Sequence, residues 1–203
     1  MNVAEKGKFI VFYGVNSTGK STQKDMLVNA FLKKGLKAEG IKYPIYDSES
    51  GRKINSILRG GKKQEISEFD LQSLYTDNRD EYEPVLKSKL ENGVNVVSED
   101  YRWTSLAWAK AKGIDNDAYV LLELMNSYLL SEDIAFFFDG KPFKEALEKN
   151  HIHESDLKLM KRSRETHREL AKKYSWIRID SNQPVEVVHK SITKELRNKL
   201  GIL

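Results

Sequence analysis

The chain has 203 residues, of which 39% are hydrophobic and 32% charged, with a formal net charge of +4 and no cysteine. This length and composition predict one globular domain, 1–203, and the lack of cysteine excludes disulfides and thiolate metal sites. Neither a signal-peptide core nor an apolar run of membrane-spanning length occurs, so we expect a cytoplasmic protein with no membrane partner. Lysines are interleaved with acids, as in 141–168, so nucleic acid is not an expected partner.

Apolar runs alternate with helical patterns along the chain, which predicts an α/β fold, a three-layer sandwich with a five-stranded parallel sheet. The predicted strands are 9–13, 38–42, 95–98, 134–138 and 176–179. Helices are predicted over 24–32 and 52–58, from an N-cap at Ser67 to Asn92 with a kink or break around Pro84, and over 103–112, 117–130, 143–150, 156–174 and 184–200. Ligands of such sheets bind beyond the carboxyl ends of the strands.

The stretch that follows the first predicted strand reads Gly-Val-Asn-Ser-Thr-Gly-Lys-Ser-Thr, from Gly14 to Thr22. Glycine, four residues and Gly-Lys-Ser between a strand and a helix form the phosphate-binding loop pattern, and a chance glycine turn rarely matches every fixed position. Lys20 is expected to reach the β- and γ-phosphates of a nucleoside triphosphate, and Ser21 to ligate Mg²⁺. The residues predicted to bind the nucleotide are Gly14, Asn16, Ser17, Thr18, Gly19, Lys20, Ser21 and Thr22.

Two carboxylates, Glu99 and Asp100, end the third apolar run. A carboxylate at this place can hold Mg²⁺ opposite Ser21, directly or through water, and we assign that role to Glu99. A solvated strand end, or the N-cap of the next helix, explains the same residues without a metal.

Tyr75 and Arg79 stand one helical turn apart in the long helix and therefore share a face. A tyrosine ring beside a guanidinium can stack a nucleobase while the arginine donates to its carbonyl edge. An ordinary amphipathic face that carries an arginine explains the spacing equally well.

Four segments together resemble the thymidylate kinase family of P-loop nucleoside-monophosphate kinases: 14–23, Tyr43-Pro44, 74–79, and 99–108. The patterns Tyr-x-x-Asn-Arg and Glu-x-Tyr-x-x-Thr-x-x-Ala-Trp are much more particular than the loop alone. The resemblance covers nearly the whole chain. It implies transfer of the γ-phosphoryl group of ATP to dTMP with Mg²⁺, giving dTDP, by a homodimer with a small helical lid around 141–165.

The same resemblance assigns roles to individual positions. It implies that Tyr75 stacks the thymine, that Arg79 bonds the base, and that Asn16 reads the acceptor sugar. Tyr43 lines the acceptor pocket before Pro44. The residues that it implies for substrate binding are Asn16, Tyr43, Tyr75, Arg79, Tyr101 and Thr104, and the catalytic residues are Lys20, Glu99, Arg102 and Arg162.

Several positions depart from the family pattern. Asp100 stands where the family has an arginine beside the acceptor phosphate, and its charge would repel a phosphate by on the order of a few kcal/mol. Arg102, two residues on, is a candidate replacement. The loop has Ser17 where some members carry a catalytic arginine, and the expected lid segment 149–156 has no arginine. The positive charge is then left to Lys149, His151, His153 or Arg162.

Three other functions fit parts of the sequence. A deoxynucleoside kinase would take an unphosphorylated acceptor, with Glu99 as general base. A P-loop ATPase or switch would use Glu99 and Asp100 to activate water, although the sequence has no Asn-Lys-x-Asp motif for guanine. A degenerate kinase would bind nucleotides without turnover.

Overall fold

The computed structural model describes residues 5–59, 64–143 and 156–203. Its sheet has five parallel strands in the order β2-β3-β1-β4-β5. The strands are β1 Phe9–Tyr13, β2 Ala38–Lys42, β3 Asn95–Glu99, β4 Ile134–Phe138 and β5 Ile177–Ile179. The predicted parallel sheet is confirmed, with β3 one residue longer and β5 one residue shorter than expected.

Seven α-helices occur within the described ranges: α1 Lys20–Lys33, α2 Glu49–Arg59, α3 Glu68–Glu91, α4 Thr104–Lys112, α5 Asn116–Ser127, α6 Leu157–Lys173 and α7 Val185–Leu200. Most of the helix expected at 143–150, and much of the expected lid around 141–165, lie outside the described residues. Over the ranges that the structure describes, no helix has the length and apolar character needed to cross a membrane.

Alternate residues of β1 face two separate hydrophobic layers, as the pleat of a strand requires. Phe9, Val11 and Tyr13 pack with residues from α3 to α6, whereas Ile10 and Phe12 pack with α1 and α7. Every residue of β1, β3 and β4 is buried. β1 and β4 therefore read as continuous apolar runs, and the helices on both faces complete the predicted sandwich.

The long helix α3 begins as predicted and does not break where a break was expected. The Ser67 hydroxyl oxygen accepts a hydrogen bond from the backbone N–H of Asp70 at 3.1 Å. Pro84 lies inside a helix that continues to Glu91. Of the kink or break expected around Pro84, the break does not occur, because buried side chains on both sides of the proline, Leu71 and Leu86 among them, anchor both parts of the helix to the core.

Candidate active site

The loop between β1 and α1 holds its lysine in a defined position. Gly14 and Gly19 have φ of 140° and 86°, which favour glycine, and a Cβ on Gly14 would meet the Phe138 carbonyl oxygen at 2.8 Å. Lys20 Nζ donates to the carbonyl oxygens of Gly14 and Val15, both at 2.9 Å. The buried ammonium group and the N-terminus of α1 both favour an anion at this place.

A cavity of about 420 Å³ opens beside the loop, and we call it the donor cavity. The cavity is also lined by Phe138 at the end of β4, by Phe143 after it, and by Gln183 and Val185 after β5. Of the predicted nucleotide-binding residues, those that line it are Asn16, Ser17, Thr18, Gly19, Lys20, Ser21 and Thr22. A cavity of this size with a cationic wall suits a nucleoside triphosphate.

Ser21 and Glu99, the two predicted metal ligands, are in direct contact. The Ser21 hydroxyl donates to Glu99 Oε2 at 2.6 Å, and Lys42 Nζ lies 3.0 Å from Glu99 Oε1. Burial alone would raise the pKa of Glu99, but the charges of Lys20 and Lys42 and the Ser21 hydrogen bond outweigh it, so the pKa is lowered. Glu99 is therefore ionised at neutral pH, and the pair offers the hard oxygen ligands that Mg²⁺ prefers.

No group of three or more acidic or histidine side chains that could hold a metal occurs among the residues that the structure describes.

Asp100, the position of the charge reversal, lines a second cavity next to the donor cavity. Its backbone is left-handed, with φ of 62°, and its carbonyl oxygen accepts a hydrogen bond from the Ser98 hydroxyl at 2.8 Å. Its Oδ1 accepts from the Thr104 hydroxyl at 3.2 Å and lies 3.9 Å from Lys20 Nζ. Burial raises the pKa of Asp100; Lys20 opposes this effect, and the nearby charge of Glu99 adds to it.

A second cavity of about 250 Å³, the acceptor cavity, lies between α3, α4 and the segment after β2. The predicted substrate-binding residues that line it are Asn16, Tyr43, Tyr75, Arg79 and Thr104. Trp108 and Tyr46 add two further rings, so aromatic side chains surround much of the space. Such a lining is suited to a flat base.

Arg79 is the most informative side chain in the acceptor cavity. It is only 1% exposed, and its guanidinium carbon lies 5.9 Å from the centre of the Tyr75 ring. Its Nη1 donates to Ser105 Oγ at 2.8 Å and Asn126 Oδ1 at 3.4 Å, both neutral groups, and its buried Nε has no partner. Burial accordingly lowers the pKa of Arg79. A buried cation with only neutral partners is costly, so a ligand carbonyl in the cavity that Arg79 lines would stabilise its charge.

The two cavities share a boundary. Asn16, from the loop, and Lys42, the last residue of β2, are the side chains in the described ranges that line both. A ligand in one cavity can therefore meet a ligand in the other beside these two residues.

Four predicted site residues line neither cavity, and one of them, Gly14, contributes its carbonyl oxygen to the hydrogen bond with Lys20. Tyr101 is buried below the acceptor cavity, packed edge-on against Phe9 with ring centres 4.9 Å apart. Arg102 Nε donates to Glu132 at 2.9 Å, and its guanidinium lies over the Trp103 ring. Arg162 Nε donates to the Ala111 carbonyl oxygen at 2.8 Å, and Arg162 lines neither cavity. The structure therefore gives no support to Tyr101 as a substrate contact, nor to Arg102 as a replacement for the family arginine.

Lys149, His151 and His153 lie outside the described residues. The sequence interpretation also missed residues that the fold brings to the cavities. Lys42 and Tyr46 lie within two residues of the Tyr43-Pro44 pair. Their closeness to this recognised motif could have identified them as lining residues. Asn126 lines neither cavity but bonds Arg79, and nothing in the sequence signals this contact, because Asn126 lies on α5, 47 residues from Arg79.

The strand–loop–helix with its buried lysine, the Ser21–Glu99 pair and the adjoining second cavity define a P-loop nucleotide-binding protein with the architecture of the nucleoside-monophosphate kinases. A family model described as thymidylate kinase matches residues 12–192. The chain belongs to the thymidylate kinase family.

Individual relatives agree with this assignment. Human thymidylate kinase is 28% identical over 193 residues, 93% of this chain and 89% of the relative. The probable thymidylate kinase of Thermococcus kodakarensis is 30% identical over 209 residues, 95% of this chain and 98% of the relative. The structure of thymidylate kinase from Candida albicans matches with a TM-score of 0.79 at 18% identity, covering 95% of this chain and 92% of that one. This structural match supports the fold, and the predicted family and fold class are confirmed.

Proposed function

We propose that the protein transfers the γ-phosphoryl group of ATP to dTMP, in an Mg²⁺-dependent in-line reaction that gives ADP and dTDP. The observation that carries the proposal is the junction of two differently built cavities, one lined by the phosphate-binding loop and one by aromatic rings and a buried arginine. Membership of the thymidylate kinase family supports the choice of ATP and dTMP.

On the donor side, the loop amides and Lys20 would bind the β- and γ-phosphates and stabilise charge on the group in transfer. Ser21 and Glu99 would hold Mg²⁺, which supplies Lewis-acid stabilisation of the phosphate charge when bound. The protein contributes position and charge and forms no covalent bond to the phosphoryl group.

On the acceptor side, Tyr75 would stack on the thymine while Arg79 donates to its carbonyl edge. Asn16 would bond the acceptor sugar, and Tyr43 and Thr104 would complete the walls. Arg79 can play this part because it has a buried N–H without a partner and makes no ion pair within the described ranges. Asp100 adds a carboxylate to the same cavity, so a cation beside it is needed for a phosphorylated acceptor.

The test is a product analysis with Mg-ATP and a panel of acceptors: dTMP, dUMP, dCMP, dAMP, dGMP and thymidine. Chromatography resolves ADP, inorganic phosphate and the phosphorylated acceptor, and Lys20→Ala serves as the inactive control. We expect ADP to form in step with dTDP. ADP with inorganic phosphate and no phosphorylated acceptor would indicate an ATPase. Formation of dTMP from thymidine would indicate a nucleoside kinase. Nucleotide binding without any product would indicate a binding module.

We further propose that the protein acts as a homodimer through α5 and α3. Val120, Leu121 and Leu124 on α5 are about half exposed, Tyr128 at its end is 80% exposed, and Val85 on α3 is also exposed. Several exposed apolar side chains on one helix, as on α5, are typical of a subunit interface. Light scattering should give twice the monomer mass, and Leu124→Asp should give the monomer; a monomeric wild type would contradict the dimer.

The single domain over 1–203, the lid around 141–165, the cytoplasmic location and the absence of a nucleic-acid or membrane partner stay predictions from the sequence.

A further inference from the structure

Within the described ranges, Lys42 is the only lysine or arginine that lines both cavities. It ends β2 at the carboxyl edge of the sheet, immediately before Tyr43. Its side chain is 53% exposed, and its Nζ lies 3.0 Å from Glu99 Oε1. The ammonium group is therefore tethered at the junction and still accessible to a ligand.

The other cations near the cavities each line one cavity only. Lys20 lines the donor cavity, where it is buried and donates to two carbonyl oxygens of its own loop. Arg79 lies on the Tyr75 side, bonded to Ser105 and Asn126. Arg59, which lines only the acceptor cavity, bonds the hydroxyl of Tyr46 and the side chain of Asn55.

Two carboxylates beside the junction increase the negative charge that a cation there must offset. Glu99 and Asp100 are adjacent, and each borders one of the two cavities. A donor and an acceptor phosphate that approach each other here repel one another and also repel Asp100. Bringing them into line requires positive charge between them, supplied by a group that reaches both sides.

We propose that Lys42 is a catalytic residue that contacts the γ-phosphate of the donor and the phosphate of the acceptor at the same time. The inference rests on the proposed function and names the cation that the sequence interpretation sought in Arg102, Arg162 and the lid. In the transfer step, an acceptor phosphate oxygen bonds to the γ-phosphorus while the bond from that phosphorus to the β–γ bridging oxygen breaks. ADP leaves with the bond electrons, and Lys42 neither gains nor loses a proton.

The test compares Lys42→Ala and Lys42→Arg with Lys37→Ala, a control beside the opposite end of the same strand. Lys37 immediately precedes β2 and is exposed, and its side-chain Nζ donates to the Asn92 carbonyl oxygen at 3.4 Å, away from both cavities. We expect Lys42→Ala to lower kcat by on the order of 100-fold or more, as the loss of one transition-state donor does elsewhere. Lys42→Arg should retain clearly more activity than Lys42→Ala, and Lys37→Ala should match the wild type.

Binding provides a readout that does not depend on turnover. Calorimetry measures the affinity for dTMP with and without Mg²⁺ and a non-hydrolysable ATP analogue. The measured quantity is the change in dTMP affinity that the analogue causes. In the wild type the analogue should weaken dTMP binding less, or strengthen it more, than in Lys42→Ala. The reason is that only the wild type has a cation between the two phosphates. A lysine that merely supports the fold would lower the melting temperature and leave this coupling unchanged.

Any one of three results would overturn the assignment. These are a kcat for Lys42→Ala within threefold of the wild type, equal losses of activity in the alanine and arginine variants, and an effect of the analogue on dTMP affinity that is the same in Lys42→Ala as in the wild type. If the wild type makes dTDP and Lys42→Ala makes it equally well, only the role of Lys42 fails. If the wild type makes no dTDP from dTMP, the proposed function fails, and the inference fails with it.

Discussion

Replacing Arg79 by methionine tests the acceptor site most sharply, because methionine keeps much of the side-chain volume and removes only the charge and the N–H groups. A hydrogen bond from a charged donor contributes about 1.5–3 kcal/mol. We therefore expect the KM for dTMP to rise by about 10- to 150-fold. The KM for ATP should stay within about twofold of the wild-type value, because Arg79 does not line the donor cavity.

The stability of the variant should change less than its kinetics. Removing Arg79 leaves Ser105 Oγ and Asn126 Oδ1 without a donor, at a cost of about 1–3 kcal/mol. The same substitution removes a buried charge that has no carboxylate partner in the described ranges, which offsets part of that cost. Initial rates with each substrate varied in turn, together with a melting curve, separate the two effects.

Arg102→Met is the matched control. Arg102 is also largely buried, but its partner is the buried carboxylate of Glu132, at 2.9 Å, and it lines neither cavity. This variant should lower the melting temperature, because it leaves a buried carboxylate unpaired, and should leave both KM values unchanged. An equal rise in the two KM values for Arg79→Met, or a larger kinetic effect from Arg102→Met, would refute the reasoning.

Two further predictions concern the metal and the core. Glu99→Gln should raise the Mg²⁺ concentration that gives a half-maximal rate by on the order of 10–100-fold. The control Glu132→Gln should leave this concentration unchanged. An unchanged Mg²⁺ dependence in Glu99→Gln would exclude Glu99 from the metal site. Burial lowers the pKa of His167 to about 4, below the unfolded value of about 6.5. The unfolded state therefore binds the proton first as the pH falls, so stability should drop between pH 6.5 and 4 by up to about 3 kcal/mol. Melting curves should show this drop in the wild type and a smaller one in His167→Leu; equal slopes would contradict it.

The sheet and the loop were predictable because their signals are local. Strands buried on both faces must be apolar throughout, and the runs 9–13 and 134–138 have this composition. The pattern from Gly14 to Ser21 carries its own geometry, since glycine is favoured where φ is 140° and 86°. Such features are specified within a few residues of chain.

The turn after β3 was not predictable, because one backbone angle decides where three side chains point. Asp100 adopts a left-handed φ of 62°. Its carboxylate then faces the acceptor cavity, Tyr101 enters the core, and Arg102 reaches Glu132. A continuous strand or helix would have distributed these residues differently, so the sequence did not show that Arg102 pairs with Glu132 rather than lining a cavity.

The surroundings of Arg79 were beyond prediction for a different reason. Its partners come from α4 and α5, 26 and 47 residues away along the chain. The sequence showed that Tyr75 and Arg79 share a face of α3. Whether that face meets solvent or a cavity depends on how the helices pack, which no local pattern records.

A crystal structure with dTMP, Mg²⁺ and a non-hydrolysable ATP analogue tests the central claim most directly, namely that two ligands meet beside Lys42 and Asn16. We expect the thymine against Tyr75 and Arg79, the analogue on the loop, and the acceptor phosphate facing the γ-phosphate next to Lys42. An acceptor bound outside the cavity of Tyr75 and Arg79, or two phosphates separated by the protein wall, would contradict the account.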